Sequence, residues 1–134
     1  MEKELRLSTA HRQVVDLTAE AEHFASAAGG DGLVNVFVPH ATAGLALMET
    51  GSGSEDDLVE ALGRLLPRDH PYHHRHGSPG HGADHLLPVL VSPSLSIPYR
   101  DGKLRLGTWQ SIVLVDLNRD NPERTVLFTL VQAG

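Results

Sequence analysis

The spacing of apolar and polar residues divides the chain into short strands and two helices. Runs of alternating or β-branched apolar residues predict strands, which lie at residues 3–9, 12–17, 33–38, 45–48, 86–91, 97–99, 104–106, 111–117 and 124–131. The Asp101-Gly102 pair marks a tight hairpin turn between two of them. Because the strands come in runs and do not alternate with helices, the pattern predicts an α+β fold of about eight mostly antiparallel strands.

The two predicted helices have clear ends in the sequence. Apolar residues recur at helical spacing over residues 18–28, and Gly29-Gly30 ends that helix. A second helix is predicted from Ser54, which forms a capping-box pattern with Asp57, to Pro67. Residues 67–85 then form a long loop without an apolar period, and such loops in compact domains are often functional. No linker interrupts the chain, so residues 1–134 are predicted to form one domain.

Composition and charge narrow the functional classes. The formal charge of −6 argues against nucleic acid as a partner, because such binding usually needs a basic face. The chain has no cysteine, which excludes disulfides and thiolate metal sites and fits a cytosolic protein. It has no signal-peptide pattern and no apolar run near the roughly 20 residues that span a bilayer. We therefore expect a cytoplasmic protein without a membrane partner, in which a local basic pocket could bind a phosphorylated small molecule.

The predicted loop is rich in histidine. Six of the nine histidines lie between residues 70 and 85. Neutral imidazole binds zinc and other late divalent metals, and catalytic zinc sites usually have three protein ligands. His74 and His76, like His81 and His85, have spacings found in metal sites, although the proline and glycines at 79, 80 and 82 argue against a helix across the second pair. The segment is thus either a metal site or a solvated surface loop.

Other candidate residues lie near the ends of predicted elements. His40 follows the strand 33–38, where it is placed for a site or for a hydrogen bond to the backbone. Glu49 ends the next strand and Asp57 opens the second helix. Either carboxylate could act as a general base or orient a ligand histidine, and helix capping is the alternative for Asp57. Thr108-Trp109-Gln110 could line a pocket, with burial of Trp109 in the core as the alternative.

Motifs along nearly the whole chain resemble the YjbQ family, often described as secondary thiamine-phosphate synthases. The most specific are Ser94-Leu95-Ser96-Ile97-Pro98 and the Gly107-Thr108-Trp109-Gln110 element after the Gly102 turn. Further landmarks occur in the family's order, namely His40-Ala41-Thr42-Ala43, Glu49, Asp57, Tyr72-His73-His74, His85 and Arg124. The sequence departs from the family pattern in two residues and one segment. Ala41 stands in place of Thr or Ser, Asp84 in place of a small residue, and Thr50–Gly53 in place of an acidic loop.

The resemblance implies a fold, a site and an activity. The fold would have a β-sandwich or barrel-like core with two flanking helices and would assemble as a homotrimer. The family's site would use His40, His74 and His85 to bind a divalent metal, with zinc expected. Glu49 or Asp57 would assist, and substrate contacts would come from Thr108, Trp109, Gln110 and Arg124, the last pairing with phosphate. The implied activity is a weak thiamine-phosphate synthase that couples a pyrimidine diphosphate to a thiazole phosphate. The alternative is a non-catalytic trimer that binds metal or a small ligand.

Overall fold

The computed structural model describes residues 1–134 and contains eight strands and three helices. In chain order these are β1 (Glu2–Ser8), β2 (Val14–Asp16), α1 (Thr18–Ala28), β3 (Gly32–Phe37), β4 (Gly44–Met48), α2 (Ser54–Leu65), α3 (His81–Leu90), β5 (Ser94–Arg100), β6 (Lys103–Leu104), β7 (Ser111–Val115) and β8 (Glu123–Gln132). None of the helices combines the length and the apolar character needed to cross a bilayer.

The strands form two sheets that curl into a half-barrel. The larger sheet has the order β1-β8-β3-β5-β6, and the smaller has the order β2-β7-β4. Every strand pair is antiparallel, which confirms the α+β class predicted from the sequence. The predicted hairpin at residues 101–102 is also confirmed, because β5 and β6 pair on either side of it. Strand β8 lies between β1 and β3, although it follows both in the chain.

The main core lies on the inner face of the curled sheets and is covered by α1. Alternate residues of β3 and β8 point inward, and Val34, Val36, Val126 and Phe128 are completely buried. From α1, Phe24 packs against Phe128 with ring centroids 5.9 Å apart. Each such side chain contributes about 1.5–3 kcal/mol when buried. This alternation holds the register of the larger sheet, since a slip by one residue would expose its apolar face.

Strand β7 is buried on both faces, because the main core covers one face and α2 and α3 cover the other. Ile112 and Leu114 face the main core. Val113 and Val115 form a second cluster with Leu62 of α2 and Leu87 of α3. Helix α3 is therefore mounted on a rigid sheet, and the loop that precedes it is held at that outer surface.

The structure corrects the prediction for residues 81–91. The predicted strand at 86–91 is wrong, and so is the extension of the loop to residue 85, because His81–Leu90 forms helix α3. The glycines that argued against a helix lie at its start, where they do little harm. Gly80 is the N-cap in a left-handed conformation (φ 86°). Gly82 is required by packing, since a Cβ there would lie 2.7 Å from Tyr72 Cβ.

The start of α2 also differs from the prediction. Gly53, in a left-handed conformation, is the N-cap, and no side chain caps the helix. The predicted capping box of Ser54 and Asp57 is therefore wrong. The Glu55 carboxylate instead accepts the Gly51 N–H at 3.1 and 3.2 Å, and it closes the glycine-rich turn before the helix.

Candidate metal centre

Three histidines converge at the start of α3. His81 and His85 are one helical turn apart, and their Nε2 atoms lie 3.1 Å from each other. His74 comes from the preceding loop, with its ring centroid 4.5 Å from that of His85. One nitrogen from each of the three lies within 4.8 Å of the others. Two tetrahedral zinc ligands at 2.0–2.1 Å from the ion are about 3.3 Å apart, so the spacing is compatible with a shared ion.

The burial of His74 and His85 and the direction of their pKa shifts fit metal binding. Both ring nitrogens of His74 are buried without a hydrogen-bond partner, although buried polar atoms are nearly always paired. Burial, followed by the neighbouring His76 and His81, lowers the pKa of His74 below its ordinary 6.5. Burial and the adjacent histidines likewise lower the pKa of His85. A lowered pKa favours the neutral ring, which is the form that binds a divalent metal.

Two carboxylates lie behind His81. Asp120 Oδ2 is 2.9 Å from His81 Nδ1, although the contact does not have the geometry of a hydrogen bond. The Ser78 N–H donates to the same oxygen and is the main cause of the lowered pKa of Asp120. Asp84 Oδ2 lies 3.8 Å from His81 Nδ1. Asp84 is buried, and Arg68 donates to both its oxygens, at 2.6 and 3.3 Å.

The loop approaches the histidines closely at Gly77. A Cβ at this position would lie 2.6 Å from His81 Cγ and 2.9 Å from Asp120 Oδ2, and the backbone is left-handed (φ 83°). Only glycine fits there without displacing the ring. The loop and the first turn of α3 enclose a cleft of about 360 Å³ beside the histidines. His76 lies at its mouth, exposed, with its ring centroid 3.8 Å from that of His74.

His40 lies apart from this cluster. It follows β3, and its Nε2 accepts the backbone N–H of Thr125 at 2.9 Å. This bond places the proton of the neutral ring on Nδ1. Burial and then the positive charge of Arg124 lower the pKa of His40, while Asp116 partly opposes them. The structure brings together His74 and His85 of the predicted ligand set and places His81 beside them in the position expected for His40.

Arg124 lies in a buried ion pair. Its Nε donates to Asp116 Oδ2 at 2.7 Å and its Nη2 to Asp116 Oδ1 at 3.0 Å. Nη2 also donates to Thr42 Oγ1 at 2.7 Å, and Thr9 Oγ1 donates to Asp116 Oδ2 at 2.6 Å. The network joins β8 to the segments around Thr9 and Thr42. Arg124 is only 3% exposed and does not line the histidine cleft.

The remaining predicted site residues are exposed and lie outside the cleft. Glu49 follows β4 and Asp57 lies in the first turn of α2. Neither lines the cleft, and the carboxylates beside the histidines belong to Asp84 and Asp120. Thr108-Trp109-Gln110 forms an exposed turn in which Gln110 Oε1 accepts the Gly107 N–H. The alternative that places Trp109 in the core is wrong, because that side chain is 74% exposed.

Lowering the pH is expected to destabilise the wild type more than a His40→Gln variant. The folded pKa of His40 is below the unfolded 6.5, so its contribution is complete above pH 6.5 and is lost as the pH falls through the folded pKa. Glutamine retains an acceptor for the Thr125 N–H and cannot be protonated. Urea unfolding at about pH 7.5 and about pH 5.5 would measure the difference. Equal losses in the two proteins would contradict this role for His40.

The fold and the site together define a class of protein, an α+β half-barrel with a three-histidine cluster at the start of a helix packed outside its smaller sheet. The chain belongs to the UPF0047 protein YjbQ-like family, whose model matches residues 3–133.

Relatives and solved structures match over nearly the full length. A UPF0047 protein of Mycobacterium tuberculosis is 60% identical over 128 residues, which covers 96% of each chain. The crystal structure of a YbjQ-like protein of unknown function from Sulfolobus solfataricus superposes with a TM-score of 0.91 at 26% identity, covering 99% of this chain and 97% of that one. A hypothetical protein from Aeropyrum pernix gives a TM-score of 0.88 at 34% identity and covers 99% of both chains.

Proposed function

We propose that this chain is a metal-dependent enzyme that acts on a small phosphorylated substrate, with a divalent metal held by His74, His81 and His85. The observation that carries the proposal is the buried, unpartnered imidazole of His74 next to the paired Nε2 atoms of the other two. Coordination of an ion would satisfy one of the two His74 nitrogens, which otherwise lack a partner. Zinc is the metal we expect, since three imidazoles are a common ligand set for catalytic zinc.

The surroundings of the cluster support a catalytic role. Three protein ligands leave a position open for substrate or water, and a bound metal would supply Lewis acidity toward a phosphate oxygen. Asp120 lies beside the far nitrogen of His81, the place where a ligand histidine usually meets a carboxylate. Asp84, held by Arg68, adds a second negative charge there. In this proposal these two carboxylates take the orienting role predicted for Glu49 or Asp57.

The reaction we would test first is the coupling of a pyrimidine diphosphate to a thiazole phosphate, which yields thiamine phosphate. This choice rests on the family resemblance and on the chemistry of the departing diphosphate, which needs a cationic partner. The cleft of about 360 Å³ is lined mainly by polar and histidine residues, as a small anionic substrate requires.

We also propose that the chain assembles as a cytoplasmic homotrimer. The outer face of the larger sheet carries apolar side chains that are adjacent in register, Leu33 beside Val131 and Phe37 beside Leu127. Leu33 and Val131 are 44% and 59% exposed. Trp109 adds a large exposed aromatic surface. Adjacent exposed apolar side chains of this kind favour a subunit interface.

A second candidate is a non-catalytic protein that binds metal or a small ligand. The position of the acidic residues favours it, because neither Glu49 nor Asp57 lines the histidine cleft. Without a free carboxylate in the cleft, the site lacks an evident general base.

Removing the metal is expected to lower turnover of the pyrimidine and thiazole substrates by at least roughly a hundredfold, and added zinc should restore it. Product formation would be measured before chelation, after chelation and after the metal is returned. The control is His73→Ala, which removes an exposed histidine outside the cluster and should respond to chelation as the wild type does. Full turnover in excess chelator would contradict the proposal. Tight metal binding without turnover of any phosphorylated substrate would select the second candidate.

A further inference from the structure

A second cleft lies between two loops on the side of the molecule that bears Arg119. Its walls are the loop at residues 9–13, between β1 and β2, and the loop at residues 116–122, between β7 and β8. Backbone bonds hold the loops together, from the Thr9 N–H to Pro122 O at 2.9 Å and from the Asp116 N–H to Gln13 O at 2.8 Å. The cleft has a volume of about 500 Å³, which is enough for a small phosphorylated molecule.

The charge of this cleft is positive in a chain whose formal charge is −6. Arg12 and Arg119 both line it, both are exposed, and neither guanidinium has a carboxylate within 4.0 Å. Asp116 is the acid in its wall, and its charge is compensated. It accepts two bonds from Arg124, one from Thr9 Oγ1 and one from the Asn118 N–H. The two arginines are therefore the uncompensated charges of the cleft.

We propose that this cleft binds a phosphate group of a small anionic ligand through Arg12 and Arg119. A guanidinium presents paired N–H donors that match two phosphate oxygens, and its charge strengthens those bonds. The side chains of Gln13 and Asn118 also line the cleft and offer neutral donors at the same rim. Arg124, the arginine that the sequence suggested for phosphate, is instead occupied by Asp116.

The cleft shares part of its wall with a neighbouring cavity on the side of Asp84. Arg119, Gln13 and Leu117 also line a smaller cavity of about 160 Å³, which is shared with Arg68 and Asp84. Asp84 in turn lies 3.8 Å from His81 Nδ1. As part of a catalytic site this inference rests on the proposed function. As an anion site it depends on the arginines alone.

The test is a calorimetric titration of the purified protein with inorganic pyrophosphate and, separately, with inorganic phosphate. Replacing either arginine, as Arg12→Ala or Arg119→Ala, is expected to weaken binding by roughly tenfold or more, because each removes a charge-assisted contact. The matched control is Arg105→Ala, which removes the same charge from an exposed arginine outside the cleft. Its affinity should stay within about twofold of the wild type.

Three outcomes would overturn the inference. They are a wild type that binds neither anion, arginine variants that bind as well as the wild type, and a control variant that weakens binding equally. Repeating the titration in a His85→Ala background separates this site from the metal centre. If pyrophosphate binding persists there and still depends on Arg119, the anion site stands even where metal content and turnover fail. If the protein binds metal and turns over substrate while Arg119→Ala has no effect, the proposed function stands and the anion site fails.

Discussion

His81→Ala is expected to remove the bound metal from the purified protein, from about one ion per chain to a trace. His81 supplies one of three nitrogens within 4.8 Å of one another, and its Nε2 is 3.1 Å from that of His85. Loss of a carboxylate that only orients a ligand usually costs about 10- to 100-fold in metal affinity, and loss of a ligand should cost more. Elemental analysis by mass spectrometry after dialysis against zinc would measure the change.

The matched comparison is His40→Gln. The family resemblance assigns His40 to the metal, whereas the structure gives its Nε2 to the Thr125 N–H. We therefore expect His40→Gln to retain the metal and His81→Ala to lose it. The reverse result would support His40, His74 and His85 as the metal ligands. Retention of metal by both variants and by His85→Ala would place the ion elsewhere.

Asp116→Ala is expected to lower the free energy of unfolding by about 3–5 kcal/mol, because it leaves the Arg124 guanidinium buried without a counterion. The side chains of both partners are at most 2% exposed. The variant also removes the acceptor for Thr9 Oγ1 at 2.6 Å. Urea unfolding at neutral pH would give the difference in free energy.

Two further variants test whether the lost stability comes from the unpaired Arg124 guanidinium. Glu123→Ala removes an exposed carboxylate one residue before Arg124 and should change stability by less than about 0.5 kcal/mol. The double variant Asp116→Ala/Arg124→Met should be more stable than Asp116→Ala alone, because the unpaired charge is gone. A loss below about 1 kcal/mol in the single variant would show that the guanidinium reaches water or another partner.

Most of the sheet could be predicted from the sequence because its signals are local. The β-branched runs gave the central strands, and Asp101-Gly102 gave the β5–β6 hairpin. Helix α3 could not be predicted this way. Its start is Gly80 in a left-handed N-cap and Gly82 against Tyr72, and its stability comes from Leu87 docking on the smaller sheet. Local helix propensity is poor there, and tertiary packing overrides it.

The arrangement of the site could not be derived from the sequence for the same reason. The sequence indicated that the histidine-rich segment could bind metal, and His74 and His85 do meet in the structure. The role of His81 depends on helix α3, since only a helical turn brings residues four apart onto one face. Whether Arg124 is free to bind a ligand depends on its burial and on its ion pair with Asp116, the residue that directly follows β7. No sequence pattern reports such a non-local contact.

The position of β8 has a consequence for synthesis of the chain. Strand β8 lies inside the larger sheet, between β1 and β3, yet its residues, Glu123–Gln132, leave the ribosome after those of every other strand. Until then β1 and the edge of β3 that faces β8 are unpaired. Val34 and Val36 also lack the core neighbours that β8 supplies. Exposed strand edges of this kind invite pairing between chains. Nascent chains are therefore expected to depend on ribosome-associated chaperones until β8 inserts.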